Sequence, residues 1–310
     1  MKKFKEMNFD FIGKSKIFFI ISAVVFLVGI VSLVVFGLNL DADFIGGTSF
    51  TMDLGKPVDS AVISEVRALV TESIGVTPSS VQTAGSNGTT VLIKTPEVDT
   101  ENRDKLVNDI IAKYELGEDY TDYQVSNVGA SMTKDITKSL FMATIIAVVL
   151  MLVYITFRFD LRSGAAAVVC LIHDLFVMLT VYSLFSISVD SNLIAAFLTI
   201  LGYSINGTII VFDRIRENKS KYTSKSFKEI ANLSINQTFR RSVNTTITTL
   251  LTIVMIYILG VESIKNFAFP LIIGILAGFY SSTCLASSIW SMLYKDKNAT
   301  PAEEAVESAE

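Results

Sequence analysis

Six separate runs of mainly apolar residues, each long enough to cross a bilayer as a helix, constrain this chain more than any other feature. A hydrocarbon core roughly 30 Å thick needs about 20 residues at about 1.5 Å rise per residue. The stretches 17–38, 139–157, 163–186, 191–212, 242–259 and 267–292 meet that length. Composition agrees, with 51% hydrophobic and 18% charged residues, against about 25% charged in an ordinary soluble domain. One histidine and two cysteines, Cys170 and Cys284, leave too little for zinc sites, Cys/His dyads or a disulfide framework. The chain therefore reads as an α-helical polytopic membrane protein with six transmembrane helices and no metal or organic cofactor.

Lysine and arginine in short loops are retained on the cytoplasmic side, and their placement gives one consistent topology. Lys2, Lys3, Lys5, Lys14 and Lys16 precede the first run, and Arg158 and Arg162 flank the turn between the second and third. Eight basic residues from Arg214 to Arg241 occupy 213–241, and Lys295 and Lys297 follow the sixth run. The opposite turns carry only Lys265. Both termini are thus expected in the cytoplasm of a multi-pass plasma-membrane protein. Segment 1–16 is the basic amino end, 17–38 the first helix and 39–138 an outer domain. Spans two to six fill 139–293, with a cytoplasmic loop at 213–241, and 294–310 is a solvated acidic tail. The first run has 22 residues and no A-x-A cleavage site after it, so it reads as a retained span rather than a signal peptide.

The outer stretch from Asp41 to Lys138 holds 16 acidic and 8 basic residues, which makes it negative and leaves the remainder of the chain positive. Its pattern predicts strand 49–54, helix 59–73, strand 80–84, a turn at Gly85-Ser86-Asn87-Gly88, strand 89–95, helix 99–116 and strand 122–128. Asn-Gly between two β-rich runs is a strong hairpin signal because both residues accept positive φ. The order βαββαβ predicts a ferredoxin-like α+β domain, with two helices on one face of an antiparallel sheet.

Polar residues inside a span are costly, by about 2.5 to 3.5 kcal/mol for a central Asp on insertion scales, and are functional candidates for that reason. His173-Asp174, midway along the third run, reads either as a proton or cation relay or as a packing hydrogen bond of fixed protonation. In the fourth run, Ser204, Gly207 and Thr208 share a helix face, and close packing is the expected role of Gly202 and Gly207. Asn206 needs a partner or water, which points to a hydrated interface with another span or subunit. Asp213 and Arg214 open a charged run expected to be an ion-paired helix end. Arg240 and Arg241 either anchor the fifth span by snorkelling, or Arg241 turns inward to pair with Asp174. The threonines that follow can bond their own helix carbonyls.

Several of these strings together resemble the SecF subunit of the bacterial SecD/SecF protein-export complex, of the resistance-nodulation-division superfamily. They are Asp43-Phe44-Ile45-Gly46-Gly47-Thr48, His173-Asp174, Gly202-Tyr203-Ser204-Ile205-Asn206, Val211 to Asn218 beginning Val-Phe-Asp213-Arg214, and Asn236-Gln237-Thr238 with Arg241. The resemblance spans the chain apart from its tail. It implies a non-enzymatic accessory role in drawing preprotein across the bacterial cytoplasmic membrane, coupled to proton or sodium flow. The partners it implies are SecD, the SecYEG channel, the translocating preprotein, membrane lipids and, as a further candidate, YajC, with no nucleic acid. No phosphate-binding G-x-x-x-x-G-K-[ST] loop is present in the sequence.

The family typically has Asp directly after the Asn of the span-four motif, where this chain has Gly207, and V-G-P where it has Val128-Gly129-Ala130. The resemblance thus makes His173, Asp174, Asn206 and Arg241 the ion-coupling candidates, without the usual carboxylate beside Asn206. Three explanations stand: SecD carboxylates carry coupling, Asp174 carries it in a modified relay, or the chain is an uncoupled scaffold. The first is favoured because a paired architecture offers a second, equivalent set of helices. Two other functions compete with export. A half-transporter of small molecules or lipids shares the spans and polar residues, and an intramembrane serine protease would need Ser204 within reach of His173.

Overall fold

The structure, a computed structural model, describes residues 9–84, 88–117 and 119–294. The expected turn residues Gly85 to Asn87, the lysines at 2, 3, 5, 295 and 297, and the acidic tail lie outside the described residues. In chain order the elements are α1 (Ser15–Val35), α2 (Ala42–Ile45), β1 (Gly47–Asp53), α3 (Ser60–Ile74), β2 (Ser80–Ala84), β3 (Thr90–Thr95), α4 (Thr100–Tyr114) and β4 (Tyr123–Val128). There follow α5 (Ala130–Arg158), α6 (Leu161–Leu184), α7 (Asn192–Lys221), α8 (Phe227–Leu259), α9 (Glu262–Tyr280), a π-helical turn (Ser281–Leu285) and α10 (Ala286–Leu293). Among the described residues six helices are long and apolar enough to cross a membrane, the sixth being α9, the π turn and α10 in succession.

The sheet domain has the expected ferredoxin-like topology, with strand order β2-β3-β1-β4 and every neighbour antiparallel. Alternation along β1 and β3 turns Phe50, Met52, Val91 and Ile93 inward, where they meet Val66 and Val70 of α3 and Leu106 and Ile110 of α4. Each helix starts where the sequence provides a cap: Asp59 accepts from the Val62 amide at 2.9 Å and Asp99 from the Asn102 amide at 2.8 Å.

In the bundle, α6 and the sixth span form the centre, with 56% and 67% of their most apolar windows buried, against 6% for α5 and 11% for α8. Small residues admit that packing. A Cβ on Gly29 of α1 would lie 2.2 Å from Thr180 Oγ1 of α6, and Ser32 and Ser183 share a hydrogen bond of 2.8 Å across the same contact. The stretch 213–241, expected as a loop, is instead a helical hairpin in which only 222–226 leave helix. Its polarity suits a helix emerging from lipid: Glu217 bonds Arg214 and Lys221 at 2.6 Å each, Asn218 reaches Ser234 and Gln237 at 2.8 Å, and Ser226 with Glu229 forms a capping box. Against this hairpin lies the amino-terminal segment. Phe9 exchanges backbone hydrogen bonds with Asn236 at 2.9 and 2.8 Å, and the Phe11 amide donates to Asn232 at 2.8 Å.

The sheet domain is fastened to the bundle by the Asp43–Thr48 string and the residues just before it. The Asp41 amide donates to the Val189 carbonyl at 3.0 Å, and the Val189 amide to Asn39 at 2.8 Å, so the α1 exit pairs with the α6–α7 turn. Lys94 of β3 bridges Asp41 at 2.8 Å and Asp43 at 3.2 Å, while Asp43 also accepts from the Ser191 amide at 3.0 Å. Gly47 runs so close to β3 that a Cβ would stand 2.1 Å from the Thr95 carbonyl oxygen, and Gly46 turns through φ +80°. Thr48 is buried, its hydroxyl accepting from the Val98 amide at 3.3 Å. The motif is therefore a joint, made of residues with specific backbone and charge requirements.

Burial pushes Asp41 up from the ordinary carboxylate value, more than Lys94 pulls it down. Asp43 is half-buried, and Lys94 with the Ser191 bonds outweighs that desolvation and holds it below the ordinary 3.8. Burial likewise opposes the charge on Lys94, and its two carboxylates more than compensate, keeping it above 10.5. The Asp43 contribution to stability is thus complete above pH 3.8 and lost as pH falls through its lower folded value. The Lys94→Met variant leaves the buried Asp41 and the half-buried Asp43 without their cation and should lose about 3–5 kcal/mol at neutral pH in denaturant unfolding. That deficit should shrink when the pH is taken below the carboxylate range, because Asp41 and Asp43 are then neutral; a deficit independent of pH would show the pairing to be irrelevant.

Candidate functional site

Asp174 sits on α6 in the interior of the bundle with no exposed surface, and His173 beside it is 7% exposed. A carboxylate removed from water needs hydrogen-bond partners, and three side chains provide them. Ser204 of α7 donates to Oδ2 at 2.5 Å, Ser281 of the π turn donates to the same oxygen at 2.7 Å, and His173 Nδ1 lies 2.9 Å from Oδ1. The imidazole in turn lies between Phe26 of α1 and Tyr280 of α9, with ring centroids 5.6 and 6.0 Å away. The Tyr280 hydroxyl donates to the Phe18 carbonyl at 2.6 Å and lies 3.3 Å from Ser22 Oγ. Four spans therefore converge on one ionisable pair. Gly278 makes room for Ser204, since a Cβ there would stand 3.2 Å from the serine Cβ.

This arrangement can hold a charge in the membrane interior, and it can exchange a proton or a small cation through oxygen and imidazole groups. Its geometry does not suit hydrolysis. The Ser204 hydroxyl engages Asp174 Oδ2 while the imidazole engages Oδ1, so the nucleophile-to-base contact that a serine protease requires is not formed.

Gly207 is half-buried and faces the sixth span, where a Cβ would come 2.9 Å from Ser282 Oγ and 3.2 Å from its Cβ. Close packing is therefore its role, as its spacing predicts. Gly202 is different: it is exposed, with no atom within 4 Å of its Cβ position. Asn206 and Arg241 lie on exposed faces of α7 and α8, and their side chains form no hydrogen bond or ion pair among the described residues, so Arg241 does not pair inward with Asp174. Tyr203 joins the two helices through a 2.7 Å hydrogen bond to Thr246. Beside it a crevice of about 20 Å³, lined by Asn206, Gly207, Ser242 and Ser282 among others, admits about one water. The threonines of α8 bond their own helix, Thr245 to Arg241 and Thr252 to Thr248.

The motif residues at the far end of α7 are structural. Asp213 pairs with Arg158 at 2.8 Å, and Arg214 bonds Gln237 and Glu217 at 2.5 and 2.6 Å. Sequence reasoning missed Ser281, whose only signal was the polar run Ser281-Ser282-Thr283 inside an apolar span. The fit between Gly207 and Ser282 is testable. Gly207→Val should destabilise the chain by about 1–3 kcal/mol through overpacking, and Ser282→Gly in the same chain should recover most of that loss in detergent unfolding. A valine cost unchanged by Ser282→Gly would show that this contact does not select glycine.

Comparison with known proteins agrees with this architecture. The family described as "Protein export membrane protein SecD/SecF, C-terminal" matches residues 109–296. The protein translocase subunit SecF of Acidaminococcus fermentans is 41% identical over 297 residues, covering 93% of this chain and 98% of that protein. The protein translocase subunit SecDF of Bacillus subtilis is 36% identical over 91% of this chain, which corresponds to 38% of that longer protein. The crystal structure of Thermus thermophilus SecDF, a translocon-associated membrane protein, superposes with a TM-score of 0.77 at 30% identity, covering 92% of this chain and 38% of that one. These relatives are named as translocase subunits, not as enzymes, and the chain corresponds to less than half of the SecDF proteins. This chain belongs to the SecF branch of the SecD/SecF family of protein-export membrane proteins.

Proposed function

We propose that this chain is the SecF half of a SecD–SecF pair that assists preprotein movement through the SecYEG channel, with the His173–Asp174 pair as its own contribution to proton or sodium coupling. The observation that carries the coupling is Asp174 itself: a fully buried carboxylate on which α6, α7 and the sixth span all close. Packing alone is served by uncharged hydrogen bonds such as Ser32 to Ser183, so a charge at this depth implies use.

The partner's place follows from polarity. Gly202 and Asn206 on α7, with Arg241, Asn244 and Thr248 on α8, form an exposed polar face within spans. Lipid does not solvate such a face, which supports coverage by the second half of a paired assembly. Carboxylates of SecD facing Asn206 and Arg241 would supply what Gly207 lacks. In this reading the sheet domain lies outside the membrane, both termini are cytoplasmic, and the Arg158–Asp213 and Arg214–Glu217 pairs sit at the cytoplasmic surface, consistent with retention of basic residues there. YajC is a further candidate partner.

The test is preprotein export into inverted membrane vesicles holding this chain and its SecD, with and without an imposed proton or sodium gradient. Gradient stimulation is expected in the native pair and should fall in Asp174→Asn, while export without a gradient is retained. Unchanged stimulation in that variant would move coupling entirely to SecD, and the absence of stimulation in the native pair would make the chain an uncoupled scaffold.

A further inference from the structure

The sixth span is not a continuous α-helix. At 281–285 it takes on one extra residue, the Ala286 amide reaching back to the Ser281 carbonyl, which also receives the Cys170 thiol at 3.8 Å. Such π insertions are rare and occur frequently at functional sites. Here the insertion aims the Ser281 hydroxyl at Asp174 Oδ2, 2.7 Å away. Of the six buried side-chain polar atoms with no partner among the described residues, three lie within the turn or just after it: Thr283 Oγ1, Ser287 Oγ and Trp290 Nε1. Buried polar groups in native proteins are nearly always paired, so three orphans on one short segment leave that segment without hydrogen bonds tying these side chains to the present register.

The surroundings permit that second register. Serine, threonine, cysteine and alanine occupy 281–284, 286–288 and 291, so little bulk resists rotation. Passing from the π to the α hydrogen-bond pattern at fixed residue number turns everything beyond it by about 100°, one residue's worth of an α-helix. Trp290 rides on that segment, wedged between Phe212 of α7 and Phe227 of α8 with ring centroids 4.7 and 5.1 Å away. It thus touches both arms of the α7–α8 hairpin.

We propose that the π turn is a register switch in which Ser281 is the positioning residue: its bond to Asp174 holds the π form, and its release lets α10 rotate and withdraws Trp290 from between α7 and α8. Anything that occupies Asp174 Oδ2, a proton or a sodium ion, competes with Ser281 for that oxygen. The titratable groups that meet the carboxylate are His173 and Cys170 on α6; α7 presents Ser204 and the turn Ser281, while Phe26 of α1 and Tyr280 of α9 cover the imidazole. No ion pair or hydrogen bond joins α5 or α10 to it among the described residues. The inference rests on the reading of Asp174 as a coupling carboxylate, and it links that residue to the hairpin at the bundle's far end.

Trp290 is the chain's only tryptophan, so its fluorescence reports the switch without labelling. In the full-length chain in lipid nanodiscs, Ser281→Ala should red-shift Trp290 emission and increase its quenching by acrylamide. Ser32→Ala, which removes a bond between spans α1 and α6 that does not involve Asp174, should leave both unchanged. Deleting Thr283 takes out the inserted residue and restores α geometry in phase, so that chain should keep native emission and become insensitive to Ser281→Ala. Native emission in Ser281→Ala overturns the switch. An equal shift in Ser32→Ala, or an undiminished effect of Ser281→Ala after the deletion, overturns it as well. Should Asp174→Asn abolish gradient stimulation while Ser281→Ala leaves Trp290 unmoved, the switch fails and coupling stands; the reverse pattern leaves the switch and removes coupling.

Discussion

A carboxylate in the interior of a lipid-embedded bundle must be saturated with hydrogen bonds or it will not stay there, and Asp174 meets that demand by drawing three elements to one point. Ser204 fixes the rotation of α7, Ser281 fixes that of the sixth span, and His173 is held where Phe26 and Tyr280 can cover it. Helices in lipid have no hydrophobic drive toward one another, so polar contacts of this kind and close packing of small residues set the arrangement. The glycines follow from it. Gly278 is needed because Ser204 must approach, and Gly207 because Ser282 arrives beside Ser281.

The same reasoning separates what is finished within the chain from what is not. The α6 and sixth-span interface is closed and satisfied around Asp174. The outer faces of α7 and α8 present the side chains of Asn206, Arg241 and Asn244 without hydrogen-bond partners among the described residues. A protein that spends an aspartate's desolvation on three precise partners and leaves an arginine and two amides uncovered is complementary to something else. Its correspondence to less than half of the SecDF proteins agrees with that asymmetry.

Much of the fold was legible because its signals are periodic and local. Span length, the alternation of Phe50 and Met52, and the caps Asp59 and Asp99 each act over a few residues. The 213–241 hairpin was not legible as helix, since polarity ends a membrane span in sequence without ending the helix, and Glu217 to Lys221 pairing continues it. The Asp41–Lys94–Asp43 joint was hidden because its members are distant in sequence and Lys94 looks like any strand lysine. Within the site, His173, Asp174 and Ser204 were recoverable from their cost in lipid, and their partnership was not. Arg241 carried two readings that periodicity cannot separate, and its side chain is exposed and makes no bond to Asp174 among the described residues.

The π turn explains why Gly207 cannot be understood from α7 alone. An extra residue in the sixth span pushes Ser281 toward Asp174 and brings Ser282 against α7 at the level of Gly207. A side chain on α7 at that position and a π insertion opposite it compete for the same space. Glycine at 207 leaves on α7 the space in which Ser282 packs. The carboxylate that remains, Asp174, is the one this geometry serves. The close approach at Gly207 on α7 and the π turn in the sixth span are thus two parts of a single packing solution around the carboxylate of α6.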